Sequence, residues 1–82
     1  MNIIKEYKNE NGEYHRTDGP AVEWSDGTKE WYLNGERHRN DGPAIEYSNG
    51  TKKWFLNGEF LTETEYLKAT AYSRDRDWET TP

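Results

Sequence analysis

Apolar and polar positions alternate along this chain in short runs, and each run stops at a turn dipeptide. The runs AVEWS, TKEWYL, AIEYS and TKKWFL lie between Asp26-Gly27, Asn34-Gly35, Asn49-Gly50 and Asn57-Gly58. A period of two marks a strand with one face against a core. Asn or Asp followed by Gly accepts the positive φ of a tight hairpin at little cost. The pattern predicts a mainly β fold, an antiparallel meander with strands over Ala21–Ser25, Thr28–Leu33, Glu36–Arg39, Ala44–Ser48 and Thr51–Leu56.

A two-residue loop at Asp26-Gly27 sets Trp24 opposite Lys29 and Val22 opposite Trp31. Val22, Trp24, Trp31 and Leu33 then share one face, with Ile45, Tyr47, Trp54 and Leu56 as the counterpart set. Tyr32 and Phe55 fall on the other face beside Ala21 and Ala44. This register opposes Glu23 and Glu30, an unfavourable pair, whereas Glu46 opposite Lys53 is favourable. A three-residue loop with a bulged Gly would instead pair Glu23 with Lys29. The first register is expected because it gathers the apolar set on one side.

The alternation is written twice. His15 to Arg37 reads HRTDGPAVEWSDGTKEWYLNGER and His38 to Phe60 reads HRNDGPAIEYSNGTKKWFLNGEF, with 16 of 23 positions identical and no gap. A fixed period of this length predicts units that bury their apolar faces by stacking. Residues 3–16 read as a degenerate half-repeat: Lys5-Glu6-Tyr7 matches Lys29-Glu30-Trp31, and Glu13-Tyr14-His15-Arg16 matches Glu36-Arg37-His38-Arg39. Asp18-Gly19-Pro20 and Asp41-Gly42-Pro43 combine a turn-capping Asp, a permissive Gly and a Pro that cannot join a ladder, and they predict corners between units.

After Asn57-Gly58 the period changes. Thr62-Glu63-Thr64-Glu65 is a capping box, with Leu61 and Tyr66 placed for a hydrophobic staple. A short helix is expected over residues 62–72, closing the last repeat with Tyr66, Leu67, Ala69 and Ala71 as its face to bury. The domain thus covers residues 1–72: the half-repeat 3–16, repeats 15–37 and 38–60, and the cap. Residues 73–82 form a polar tail in which Trp78 alone argues for order.

Composition sharpens this picture. Only 30% of the 82 residues are apolar, yet 15% are aromatic, so large rings must supply the core. There is no cysteine, hence no disulfide framework and no thiolate zinc site, which fits a reducing cytoplasm. No run reaches the length of a signal peptide or a membrane span, so no membrane association is expected. Net charge is −5, and residues 59–82 hold six acids against three bases. That balance argues against nucleic acid, whose phosphates call for clustered Lys and Arg.

The units HRTDGPAVEWSDGTKEWYLNGE and HRNDGPAIEYSNGTKKWFLNGE resemble the MORN-like repeats of small proteins from tailed bacteriophages and bacteria, and LTETEYLK is similar to the segment that closes such arrays. The resemblance implies an antiparallel β-meander of 23-residue MORN-like hairpin repeats with a short C-terminal α-helix cap. It also implies binding of a protein rather than catalysis, since related bacterial proteins are labelled antitoxins. The YEG and GxG pattern of the standard repeat is absent, so lipid-binding roles are not implied.

Candidate chemistry is sparse. His15-Arg16 and His38-Arg39 recur at the repeat spacing, but two histidines make a poor metal site, and His38 opposite Trp31 with Arg39 paired to Asp41 or Glu30 is the simpler expectation. Asp18, Asp41, Glu23 and Glu46 read as turn caps and solvent-facing strand residues. The glycines follow no phosphate-cradling motif. No catalytic residue, metal or cofactor is expected.

The aromatic surplus remains. Tyr32 and Phe55, joined by Arg16, Arg39, His15 and His38, are the expected partner-binding residues, because aromatic and Arg side chains anchor interfaces. The expected function is a small non-enzymatic protein-binding module, in phage terms an accessory or anti-defence factor that binds and inhibits a host protein in the host cytoplasm. The alternatives are a binder of a small ligand such as a nucleotide signal, and an antitoxin-like partner binder. Two strand edges, one beside Ile3-Ile4 and Tyr7, predict a homodimer through the N-terminal strands.

Overall fold

The computed structural model describes residues 2–70 of the chain. They form eight short strands, β1 (Ile3–Glu6), β2 (Val22–Trp24), β3 (Lys29–Glu30), β4 (Tyr32–Leu33), β5 (Glu36–Arg37), β6 (Ile45–Glu46), β7 (Lys52–Leu56) and β8 (Glu59–Leu61), followed by helix α1 (Glu63–Thr70). The main sheet has the antiparallel order β1-β2-β3-β6-β7-β8, with β4-β5 as a two-stranded ribbon. The described residues are mainly β with one short helix after the last strand, as the alternation, the turn dipeptides and the capping box predict.

Backbone bonds knit the ribbon into the sheet. Arg16 N–H donates to the Tyr32 carbonyl at 3.1 Å, and Gly58 N–H to the Arg37 carbonyl at 2.8 Å. Every second level of the strip is therefore built from two segments, 14–16 with 21–24 and 36–39 with 44–47, separated by an Asp-Gly-Pro corner. The same bonds return 23 residues on: Ala21 N–H to Glu30 and Ala44 N–H to Lys53, both at 2.9 Å.

The turns divide into two kinds. Asn34 and Asn57 have φ of 49° and 51° and precede Gly35 and Gly58 at 84° and 86°, so these are two-residue hairpins with both central residues left-handed. At the other two turns only Gly27 (97°) and Gly50 (93°) are left-handed. Trp24 N–H donates to the Thr28 carbonyl and Gly27 N–H to that of Trp24, which makes a three-residue loop with a bulged Gly. The Asp26 carboxylate accepts the Thr28 N–H at 2.9 Å, and the Asn49 amide oxygen does the same for Thr51. This side-chain bond holds the residue before Gly out of the left-handed region.

The register consequently differs from the expected one. Glu23 lies opposite Lys29 and Val22 opposite Glu30, while Glu46 lies opposite Lys52 and Ile45 opposite Lys53. Both charge pairs are now favourable. A slip of one residue moves a whole strand to the other face. Val22 and Ile45 thus share a face with Glu30, Tyr32, Lys53 and Phe55. Trp31, Leu33, Trp54 and Leu56 lie on the opposite face with Ala21 and Ala44. Both faces carry buried residues: Val22 and Ile45 on one, Ala21 and Ala44 on the other.

Helix α1 begins as the capping box dictates. Thr62 N–H donates to Glu65 Oε1 at 2.9 Å, and Glu65 N–H donates to Thr62 Oγ1 at 3.1 Å. Of the described residues in the helix face expected to be buried, only Tyr66 is; Leu67 is 43% exposed and Ala69 also faces solvent. The helix is short and touches the sheet through β7 and β8, so one large side chain makes its anchor. Ala71, the last turn expected at 71–72, and Trp78 in the tail lie outside the described residues.

Candidate functional site

Each corner is organised by its arginine. Arg39 Nε donates to Asp41 at 2.9 Å, and Nη1 donates both to the Pro43 carbonyl at 3.0 Å and to Glu46 at 2.9 Å. Arg16 repeats this with Asp18 at 2.8 Å and Pro20 at 3.1 Å. Each guanidinium lies over an aromatic ring of the preceding level, Arg39 on Trp31 at 3.8 Å and Arg16 on Tyr7 at 4.1 Å. The bond to Arg16 holds the Asp18 carboxyl below the usual carboxylate range and raises the Arg16 pKa.

The glycines of the corners lie directly beneath these groups. A Cβ on Gly42 would stand 2.8 Å from Arg39 Cζ, and one on Gly19 3.0 Å from Arg16 Cζ. His-Arg-x-Asp-Gly-Pro is therefore one module: the Arg reaches over the Gly to bond the Asp and Pro that flank it. The histidines complete it by closing the next hairpin. His15 Nδ1 accepts the Asn34 N–H and His38 Nδ1 the Asn57 N–H, both at 2.9 Å. In these bonds both imidazoles act as turn locks.

The expected binding residues are divided between the two faces. Arg16 and Arg39 lie on the Trp31 face, where a cavity of about 450 Å³ opens between the two corners; Arg16, Asp18, Gly19, Trp31, Leu33 and Arg39 are among its walls. His38 also reaches it. Tyr32 and Phe55 lie on the opposite face, so a stripe joining them to Arg16 and Arg39 does not form. The Asn34-Gly35 hairpin keeps its expected register, with Tyr32 opposite Arg37; Arg39 lies beyond the end of β5, where its guanidinium turns to the Trp31 ring and the corner.

Tyr32 and Phe55 nonetheless belong to a continuous row with residues that the strand pattern does not single out. Tyr14 packs on Tyr32 with ring centres 5.3 Å apart, and Phe55 on Phe60 at 5.6 Å. Arg37 bridges the two pairs, its guanidinium 5.6 Å from the Tyr32 ring and 5.5 Å from that of Phe55. Glu30 gathers the polar ends. Its carboxylate accepts from Trp24 Nε1 and the Tyr32 hydroxyl, both at 2.8 Å, and from Arg37 at 3.3 Å. Burial, then the bond to Glu30, pushes the Tyr32 pKa up to about 12. Arg37 Nε is buried and bonded to no acceptor among the described residues, and lies between the two ring pairs. The signal in the sequence was the 5-residue separation of Tyr32 and Arg37 across Asn34-Gly35, which makes them cross-strand partners.

Among the described residues, no helix is long and apolar enough to cross a membrane, and no group of three or more His, Cys, Asp or Glu stands placed to hold a metal. No family model, curated protein or solved structure matches the chain.

Proposed function

We propose that this chain is a non-enzymatic protein-binding module that docks a partner protein on the Tyr14–Tyr32–Arg37–Phe55–Phe60 row. The supporting observation is the row itself. It crosses the sheet on the side away from Tyr66, combines four aromatic rings with one guanidinium, and ends in Phe60, which is 55% exposed. Aromatic and Arg side chains that are already held in place lose little entropy on binding and dominate interface energies. Under the MORN-like resemblance, the partner is a host or defence-system protein and the chain is a phage accessory factor.

A nucleotide binder would use the His–Arg ladder instead. There the guanidiniums are already bonded to Asp18 and Asp41, which leaves little positive charge to meet a phosphate. Protein binding is the better-supported reading. The β1 edge, with Ile4 61% exposed, supports self-pairing into a homodimer as well. Light scattering at high micromolar concentration reads this, and a clean monomer rejects it.

The main test is native mass spectrometry of the protein purified from the cells that make it. The expected result is a polypeptide bound at fixed stoichiometry, lost in Phe60→Asp while the melting temperature holds. A small bound mass, or a polypeptide retained by Phe60→Asp, overturns the proposal.

A further inference from the structure

The seat of Tyr66 has a counterpart one unit earlier. The Tyr66 ring packs on Trp54 at 4.8 Å, and its hydroxyl donates to the Arg39 carbonyl and accepts the Gly42 N–H at 3.2 Å. Moving each of these groups back by the 23-residue period gives Trp31, the Arg16 carbonyl and Gly19 N–H. Trp31, Arg16 and Gly19 all line the cavity between the corners. Among the described residues, neither the Arg16 carbonyl nor the Gly19 N–H takes part in a hydrogen bond.

We propose that this cavity is a binding site for a tyrosine side chain of a polypeptide, whose hydroxyl donates to the Arg16 carbonyl and accepts from Gly19 N–H as that of Tyr66 does at Arg39 and Gly42. The site lies on the face opposite the Tyr14–Phe60 row and does not depend on it. Its size suits the ligand, since about 450 Å³ falls within the ~300–1,000 Å³ of ordinary ligand pockets.

The walls define what the ring would meet. Leu33 and Trp31 supply apolar surface. The Arg39 guanidinium covers Trp31 in the place that Tyr66 takes over Trp54, so an entering ring would meet Arg39 as a cation beside its π face rather than stack on Trp31. The charges in the walls cancel, Arg16 against Asp18 and Arg39 against Asp41. That neutrality selects an uncharged phenol over a phosphorylated one, because no net positive charge offsets the cost of taking a phosphate out of water.

The test is amide NMR of the full chain titrated with N-acetyl-tyrosinamide, N-acetyl-phenylalaninamide and N-acetyl-phosphotyrosinamide. The expected result is a saturable shift of the Gly19 amide with the tyrosine probe, about tenfold weaker affinity for the phenylalanine probe that lacks the hydroxyl, and weaker binding still of the phosphorylated one. Thr17→Trp should abolish the shift, because Thr17 is an exposed wall residue and a bulky ring there fills the cavity. Should that variant fail to fold, contacts between the probe ring and the Leu33 methyls in the unaltered chain decide the location. Equal binding of the tyrosine and phenylalanine probes, preference for the phosphorylated probe, or a still Gly19 amide each overturns the proposal. A partner captured through Phe60 but indifferent to Thr17→Trp would leave the protein-binding reading intact; the tyrosine site is decided by the probes alone.

Discussion

The guanidinium of Arg39 lies 3.8 Å from the centre of the Trp31 ring, while its Nε donates to Asp41 and its Nη1 to Pro43 and Glu46. The pair joins one level of the sheet to the next, since Trp31 lies between β3 and β4 and Arg39 in the corner that follows β5. A side chain used in this way is part of the fold before it is available to any partner.

Arg39→Ala is therefore expected to destabilise the domain. It removes three hydrogen bonds to an ionised donor and uncovers the Trp31 ring, and one such bond contributes about 1.5–3 kcal/mol. Trp31→Ala should cost more, about 3–5 kcal/mol, because it opens a cavity in the sheet face. Denaturant unfolding of both variants measures the order. An Arg39→Ala protein that melts with the wild type would show the guanidinium cluster to be energetically idle.

Gly42→Ala tests the same corner from below. The new Cβ would stand 2.8 Å from Arg39 Cζ, and the guanidinium cannot retreat without loosening its bonds to Asp41 and Pro43. The expected loss is about 1–3 kcal/mol, the range for overpacking a tight contact. At Gly50 a Cβ would meet open space, but φ is 93°. Gly50→Val should destabilise through backbone strain alone, by about 1–3 kcal/mol. Restoring space by Arg39→Ala should rescue Gly42→Ala in part and leave Gly50→Val unrescued, and a double-mutant cycle reads the difference.

How far the residues themselves announce this fold depends on where the deciding interaction lies. Asn34-Gly35 and Asn57-Gly58 are legible because the backbone requirement of a two-residue hairpin is local. Thr62 and Glu65 are legible for the same reason, since each satisfies the other's amide across one turn. Asp26-Gly27 and Asn49-Gly50 look like the same signal, yet the side chain before Gly caps the amide two residues on and selects the longer loop. That choice moved Val22 and Ile45 to the face of Tyr32 and Phe55. The unfavourable opposition of Glu23 and Glu30 already pointed to it, and gathering of apolar residues on one face was the weaker guide, because in a thin sheet both faces bury something. The seat of the Arg39 guanidinium on Trp31, and the descent of Tyr66 into the corner at Arg39 and Gly42, depend on distances between levels that no local pattern carries.

The helix should depend on its cap. Thr62→Ala removes the acceptor of the Glu65 N–H and is expected to cost about 0.5–2 kcal/mol. Because Tyr66 is the helix's one buried residue among those described, fraying at Thr62 should also loosen the corner it bonds. Hydrogen exchange of the Gly42 amide, which donates to the Tyr66 hydroxyl, should accelerate in Thr62→Ala. Unchanged Gly42 protection would mean that the Tyr66 seat holds without the cap.

Alkaline titration separates Tyr32 from the other tyrosines. Its pKa is pushed from 10.0 to about 12, first by burial and then by its bond to the Glu30 carboxylate, which disfavours a second negative charge beside it. The folded chain thus holds a proton that the unfolded chain releases near pH 10. Between the two values the unfolded state binds fewer protons, so stability must fall as pH rises through that window and be fully present below it. Burial raises Tyr14 and Tyr66 as well, which adds to the same slope. Tyrosinate absorbance should show one group ionising last, near pH 12, and that step should vanish in Tyr32→Phe. The variant should also lose stability less steeply above pH 10 than the wild type, because it no longer has that proton to lose. A Tyr32→Phe protein with the full alkaline slope would mean that the Tyr32–Glu30 bond opens in solution, and with it the row on which partner docking is proposed.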